Sequence, residues 1–323
     1  VGTRGTFLTA PALRNLNQVP SEYLSLGSLL TANITSAAAR QAGIVAPYPG
    51  FTGVVRQALR PYPQVLAISS QQDKLGSSQY HAFEAKLQKR FSGGLQTLLA
   101  YTWSKNMTDV QGALAGISAS GLQNAEDRRA EWAVAGFDTP HNMRISVLYE
   151  LPFGPGKPLL ATSGPLRHLV GGWSLSAVTT YQSGIPLRIT QNNSLALFNS
   201  AQRPDRVSGA EARNPVTYRN FDPGVERLFN PAAFTNARPN SFGNASPRLS
   251  DARDFGVINE DVALRKSIRI GERIRFEIGA QTFNIFNRNQ WGSANDNLSS
   301  SDFGKVTLAG PGRFVQLNLK FMF

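Results

Sequence analysis

The chain closes on Val315-Gln316-Leu317-Asn318-Leu319-Lys320-Phe321-Met322-Phe323, and this stretch decides the fold. Side chains alternate across an extended strand with period 2. Val315, Leu317, Leu319, Phe321 and Phe323 therefore share one face, and Gln316, Asn318 and Lys320 share the other. A strand that is apolar on one face, polar on the other and ends in an aromatic suits the closing strand of a transmembrane barrel. It also suits an amphipathic edge strand of a soluble sandwich, so the rest of the chain has to choose.

Working back from that end, the same alternation recurs. Arg273 to Phe286 places Ile274, Phe276, Ile278 and Ala280 opposite Arg275, Glu277 and Gln281. Asp261 to Ile270 places Val262, Leu264, Ile268 and Ile270 opposite Asp261, Arg265, Ser267 and Arg269. Gly172 to about Thr190, His141 to Leu151, Leu95 to Ser104 and Gln79 to Phe91 show it again, and Val1 to Thr9 reads as a strand already under way. Charges at these spacings would interrupt a helical stripe of period 3.6, so a helical reading fails. The count is about eight strands, all expected to be antiparallel.

The connections separate the two readings. Those at Ser92-Gly93-Gly94 and Gly271-Glu272 are tight, and Leu151 to Val170 is of medium length. Those at about Ala10–Ser78, Lys105–Pro140, Gln191–Val257 and Asn287–Gly312 are long. Long and shorter connections alternate strictly. Outer-membrane barrels have short periplasmic turns and long extracellular loops, whereas compact soluble domains rarely contain several structureless loops of this size. The fold class expected is all-β, an antiparallel transmembrane β-barrel with long extracellular loops and short periplasmic turns. Tyr101, Trp103, Tyr149, Trp173, Tyr181 and Phe323 are placed to form interfacial girdles. The two longest connections are rich in Pro, Asn and aromatics, as ordered, strand-poor loops capping a lumen would be.

Composition is compatible with this. Mean hydropathy is −0.23, which does not oppose a barrel, because only alternate strand residues face lipid. No apolar run reaches the roughly 18 residues of a membrane helix. There is no cysteine, so disulfides, thiolate metal sites and a Cys nucleophile are excluded. The net charge is +12, but no basic run exceeds two residues, which argues against nucleic acid as a partner. Basic side chains on loops or in a lumen would instead meet anionic lipopolysaccharide or anionic solutes. The N-terminus shows no signal-peptide pattern.

No catalytic, cofactor-binding or metal constellation is visible. His81, His141 and His168 are far apart and lack ligand-spaced neighbours. No nucleophile elbow, P-loop or dinucleotide fingerprint occurs. Glu126-Asp127-Arg128-Arg129-Ala130-Glu131 reads as a solvated, self-neutralised loop rather than paired catalytic carboxylates. Asp251-Ala252-Arg253-Asp254 and Asn295-Asp296-Asn297 read as surface loops without a full calcium pattern. The chain is expected not to be an enzyme.

Several segments resemble a family. Ser78-Gln79-Tyr80-His81-Ala82-Phe83-Glu84-Ala85-Lys86-Leu87-Gln88-Lys89-Arg90-Phe91, followed by Tyr101-Thr102-Trp103-Ser104-Lys105, is similar to TonB-dependent receptors of the Oar-like type. Phe137-Asp138-Thr139-Pro140-His141-Asn142, Leu151-Pro152-Phe153-Gly154, Gly171-Gly172-Trp173, Phe229-Asn230-Pro231-Ala232-Ala233-Phe234 and Phe283-Asn284-Ile285-Phe286-Asn287-Arg288 also match, as does the terminal strand. The order of these segments carries the resemblance more than any one of them.

The resemblance implies a barrel of about 22 strands with a plugged lumen, of which this chain shows about eight. Residues 1–323 would then be the C-terminal portion of a receptor barrel, with the plug and coupling box upstream of it. The implied location is the bacterial outer membrane. The implied partners are outer-membrane lipid and lipopolysaccharide, an unidentified bulky solute, and TonB through the N-terminal part. The barrel-assembly machinery would read Val315, Leu317, Leu319, Phe321 and Phe323 as an assembly signal. Two other readings stay open: a non-transporting adhesion or structural barrel whose loops bind a partner, and a soluble all-β carbohydrate-binding or hydrolytic domain.

Overall fold

The computed structural model describes residues 17–65, 76–110, 122–160, 169–199, 201–271 and 273–323. The expected strand Val1–Thr9 and His168 lie outside the described residues. Seven long strands form one antiparallel sheet: β1 (Ser78–Ser92), β2 (Leu95–Thr108), β4 (His141–Glu150), β5 (Trp173–Gln182), β8 (Val257–Ile270), β9 (Ile274–Phe283) and β10 (Phe314–Met322). They pair in the order β1-β2-β4-β5-β8-β9-β10, each beside its neighbour in sequence. A short β3 (Ala133–Val134) pairs with the end of β2. Two-residue strands β6 (Asp205–Arg206) and β7 (Phe234–Thr235) pair within the longest connection. Among the described residues β1 and β10 are the sheet edges, so the described strands do not close a barrel.

Register follows from the alternation. Leu319 faces Ile278, which faces Lys266, which faces Trp173. Leu99 likewise faces Leu87 on one side and Ile145 on the other, and Ile145 faces Thr179. A one-residue slip in any pair would turn a whole apolar set to the polar face. The tight turn after β1 uses Gly93 and Gly94 at φ +59° and +81°. A Cβ on Gly94 would sit 2.9 Å from the Glu150 carbonyl oxygen, so glycine there also admits the neighbouring strand.

Strand β5 is shorter than its sequence pattern suggests. It ends at Gln182, not near Thr190. Gly184 lies against the Asp254 carbonyl, where no Cβ fits, and Pro186 has no N–H to continue the ladder. Strand β2 runs four residues further than expected, to Thr108, because Ala135 N donates to the Asn106 carbonyl and β3 adds to its end.

The hydrophobic core lies outside the sheet. One cluster joins Leu187, Ile189, Phe221, Leu228, Phe229, Phe234, Leu249 and Phe255 of the β5–β8 connection to Ala294, Phe303 and Val306 of the β9–β10 connection. A second joins Val19, Leu30, Ile34, Ala39, Phe51 and Val55 of the segment before β1 to Leu195 and Leu197. No hydrophobic side chain of the seven long strands is buried.

Candidate functional site

Three surfaces could carry function: the two faces of the sheet and the folded loops at one end of it. The apolar face is set by register. Phe83, Leu87, Leu99, Ile145, Val147, Leu175, Leu264, Ile278, Leu317 and Leu319 all fall on it. Leu317 is 78 % exposed, Leu319 69 % and Phe323 96 %. In water such a face would associate or aggregate.

The expected girdle residues all lie on this face and fall into two belts. Tyr101, Trp103 and Tyr181 lie toward the long loops, and Tyr149, Trp173 and Phe323 toward the short turns. Tyr181 lies eight residue steps along β5 from Trp173, about 26 Å of strand at roughly 3.3 Å per residue. Tilted by about 40°, that is about 20 Å, close to the roughly 25 Å apolar band of an outer-membrane barrel.

Charged residues interrupt the apolar face at Lys89 on β1 and Lys105 on β2 and, on β8, at Lys266 and Glu260, and sequence reasoning missed the two on β8. Lys266 faces Trp173 and Ile278. It is buried, and its Nζ donates to the carbonyls of Leu169 (3.0 Å) and Gly171 and lies 5.1 Å from the centre of the Trp173 ring. Its charge thus reaches the backbone at the end of the connection before β5, while its stem covers apolar surface. Glu260 sits at the opposite end. It accepts two bonds from the Arg288 guanidinium, both 2.9 Å, and one from the Tyr181 hydroxyl at 3.1 Å. Their only sequence signal is a charge at a position whose parity is otherwise apolar.

The other face is polar. Near the short turns it borders a cavity of about 750 Å³ whose lining includes Glu150, Lys157, Arg265, Arg269, Arg275 and Glu277. Lys157 pairs with Glu150 at 2.8 Å and Arg275 with Glu277 at 2.9 Å. Arg265 and Arg269 have no carboxylate partner among the described residues.

The long connections form a single cap. Glu131, 3 % exposed, accepts two bonds of 2.9 Å from Arg203, tying the β2–β4 connection to the β5–β8 connection. Asp138 and Arg253 repeat the tie at 2.6 Å, and Arg188 joins Asp296 of the β9–β10 connection at 2.7 Å. The segment before β1 joins through Val19 N to the Leu197 carbonyl (2.9 Å) and Gln18 Nε2 to Asn124 Oδ1 (2.8 Å).

A family model described as an outer membrane beta barrel domain matches residues 1–316. The chain belongs to the outer membrane beta barrel family. No curated protein sequence matches it. Membership makes the apolar face the lipid face, makes the polar face the lumen, and places the protein in the bacterial outer membrane. The short turns are then periplasmic and the cap extracellular, as in barrels of this kind. No helix among the described residues is long and apolar enough to cross a membrane.

The other residues singled out by sequence find their places within this barrel domain. Val315, Leu317, Leu319 and Phe321 pair with Thr282, Ala280, Ile278 and Phe276 on the lipid face, and Phe323 follows the last paired residue. His141 Nδ1 lies 2.8 Å from the Tyr101 hydroxyl, and His81 is exposed on β1. Among the described residues no three His, Asp or Glu side chains gather as metal ligands. The acidic segment Glu126–Glu131 is exposed at Glu126, Asp127, Arg129 and Ala130, as expected, but it is not self-neutralised, and Glu131 is not solvated. Glu131 is buried against Arg203, Arg128 pairs with Asp109 at 3.1 Å, and Asp127 accepts from the backbone N–H groups of Arg129 and Ala130. Arg128 therefore reaches Asp109 outside the segment, and the buried Glu131 carboxylate takes both its guanidinium bonds from Arg203 Nη1 in another connection.

Proposed function

We propose that this chain is the C-terminal wall and extracellular cap of a TonB-dependent outer-membrane receptor of the Oar-like type, which takes up a bulky solute. The observation that carries the proposal is the cap. Loops that only shielded the barrel mouth would not need two apolar cores, one buried ion pair and two partly buried ones holding four connections in one arrangement. Loops held in register on a rigid wall are suited to recognise a ligand. Chemistry on the solute is not part of this reading: the protein binds and passes it, without a cofactor, and energy comes from TonB through an N-terminal part of the receptor. The terminal residues Val315, Leu317, Leu319, Phe321 and Phe323 serve as the signal for the barrel-assembly machinery.

Uptake can be tested without knowing the solute. Compounds removed from the medium by wild-type cells are compared with those removed by a strain lacking this barrel and by a strain lacking TonB. Compounds left behind by both mutants identify the cargo. Normal removal in the barrel mutant, with loss of surface adhesion, would favour the non-transporting barrel instead.

A further inference from the structure

Seven buried side-chain polar atoms lack a hydrogen-bond partner among the described residues. Three belong to groups that converge within the cap: Arg213 Nε, Arg248 Nε and Asp254 Oδ1. Arg248 and Asp254 line one cavity of about 300 Å³, together with Arg188, Ser293 and Asp296. Arg213 lies 5.1 Å from the centre of the Phe255 ring, next to Asp254, and both Arg213 and Arg248 act electrostatically on the Asp254 carboxylate. Buried polar atoms are nearly always paired, so three unpaired ones on side chains that meet at Asp254 call for a common explanation.

The charge count gives the sign. Arg188 is neutralised by Asp296 at 2.7 Å. That leaves Arg248 and Asp254 on the cavity wall and Arg213 outside the lining, acting on Asp254 from beyond it, two guanidiniums against one carboxylate. Burial pushes both arginines down from their usual range, and it pushes Asp254 up. All three charged forms are therefore short of solvation, and the uncompensated charge is positive.

The geometry around Arg248 is built rather than incidental. A Cβ on Gly136 would lie 2.9, 3.0 and 3.1 Å from Nη2, Cζ and Nε of Arg248. These near-equal distances place the guanidinium plane face-on to the glycine, so that any side chain at 136 would have to displace it. Only Nη1 has a protein acceptor among the described residues, the Pro186 carbonyl at 3.4 Å. The Nε–Nη2 edge, the edge that grips oxyanions with two parallel bonds, is left without one. The Asp254 carboxylate is anchored by Ser293 Oγ, which donates to its other oxygen at 2.8 Å, and by the Ala294 backbone N–H.

We infer that this cavity is a binding site for a small oxyanion, a carboxylate or phosphate group, gripped by the Nε–Nη2 edge of Arg248 and balanced by the excess charge of Arg213. The site does not depend on whether the barrel transports. It stands or falls on equilibrium binding.

The test is calorimetric titration of the folded barrel in detergent micelles with inorganic phosphate and, separately, with acetate, using chloride at matched ionic strength as the reference. A saturable heat with either oxyanion but not with chloride is expected, and the responding anion identifies the group recognised. Arg248→Gln should weaken binding at least tenfold, as loss of a charge-assisted bidentate contact does. Gly136→Ala keeps every charge but displaces the guanidinium, and should weaken binding at least threefold. Asp254→Asn removes the competing negative charge and should tighten it. Absence of a saturable oxyanion response, unchanged affinity in Arg248→Gln, or weaker binding in Asp254→Asn would each overturn the inference. If Arg248→Gln does not fold, the other two variants decide.

Discussion

The sheet and the cap are built from one chain, yet they obey opposite rules of burial. In the sheet the large apolar side chains point outward and no hydrophobic residue of the seven long strands is buried. In the cap Phe229, Leu228, Leu197 and Ile189 are almost wholly enclosed. The buried residues of the sheet are instead polar ones such as Glu260 and Lys266. Each region places its apolar groups away from water, but for the sheet the place away from water is lipid. Stability of the cap is therefore a packing problem, while stability of the sheet is a matter of which solvent meets which face.

Variants should separate the two regions. The largest effect is expected for Arg203→Ala. It leaves Glu131 buried without its partner, at a cost of about 3–5 kcal/mol. Thermal unfolding and limited proteolysis should show the cap loosened while the barrel keeps its heat-modifiable migration in gels. Loss of the barrel as well would mean that the two regions do not fold separately. Phe229→Ala should cost about as much, roughly 3–5 kcal/mol, through the cavity it leaves, and should again be read in the cap alone.

On the sheet, Leu319→Lys or Ile278→Lys should cost about 2–4 kcal/mol near the bilayer midplane, and Asn318→Lys on the lumen face far less. Refolding titrations into lipid measure both. Equal penalties on the two faces would break the comparison at its base. A smaller effect, about 1–2 kcal/mol, is expected for Gly271→Ala, because Gly271 holds φ +66° at the β8–β9 turn. Protease added to intact cells should leave this turn uncut and should cut in the cap, and the reverse would invert the topology. Smallest of all is Glu277→Gln, which breaks a partly exposed pair with Arg275 on the lumen face and should change stability by about 1 kcal/mol or less.

The sheet was legible in the sequence because a period of 2 is a local property. Each of the seven long strands can be found from its own residues alone. The lipid face of β10, with Val315, Leu317, Leu319, Phe321 and Phe323, reads directly. Where local parity fails, at Lys266 and Glu260, the reading failed too: their partners are the Leu169 and Gly171 carbonyls and Arg288, which no alternation can name. The cap was legible only as long loops. Its ties join residues far apart in the chain, Glu131 with Arg203 and Asp138 with Arg253, and nothing local distinguishes a buried Glu131 from a solvated one. The grouping of Asp254 and Asp296 around one cavity escaped for the same reason, since each segment alone reads as an ordinary surface loop.

The unequal connections carry a consequence for the order of assembly. Closing a flexible loop loses entropy as about (3/2)RT times the logarithm of its length. The β1–β2 turn spans two residues, Gly93 and Gly94, whereas about 74 residues separate Gln182 from Val257. By that relation the longer closure is harder by roughly 3 kcal/mol. The β1–β2 and β8–β9 hairpins should then form as early units, and the β5–β8 seam should join them late. The outer loops spanning that seam bury their aromatic clusters only when it closes, so cap formation would act as the latch on a sheet zipped from its two hairpins.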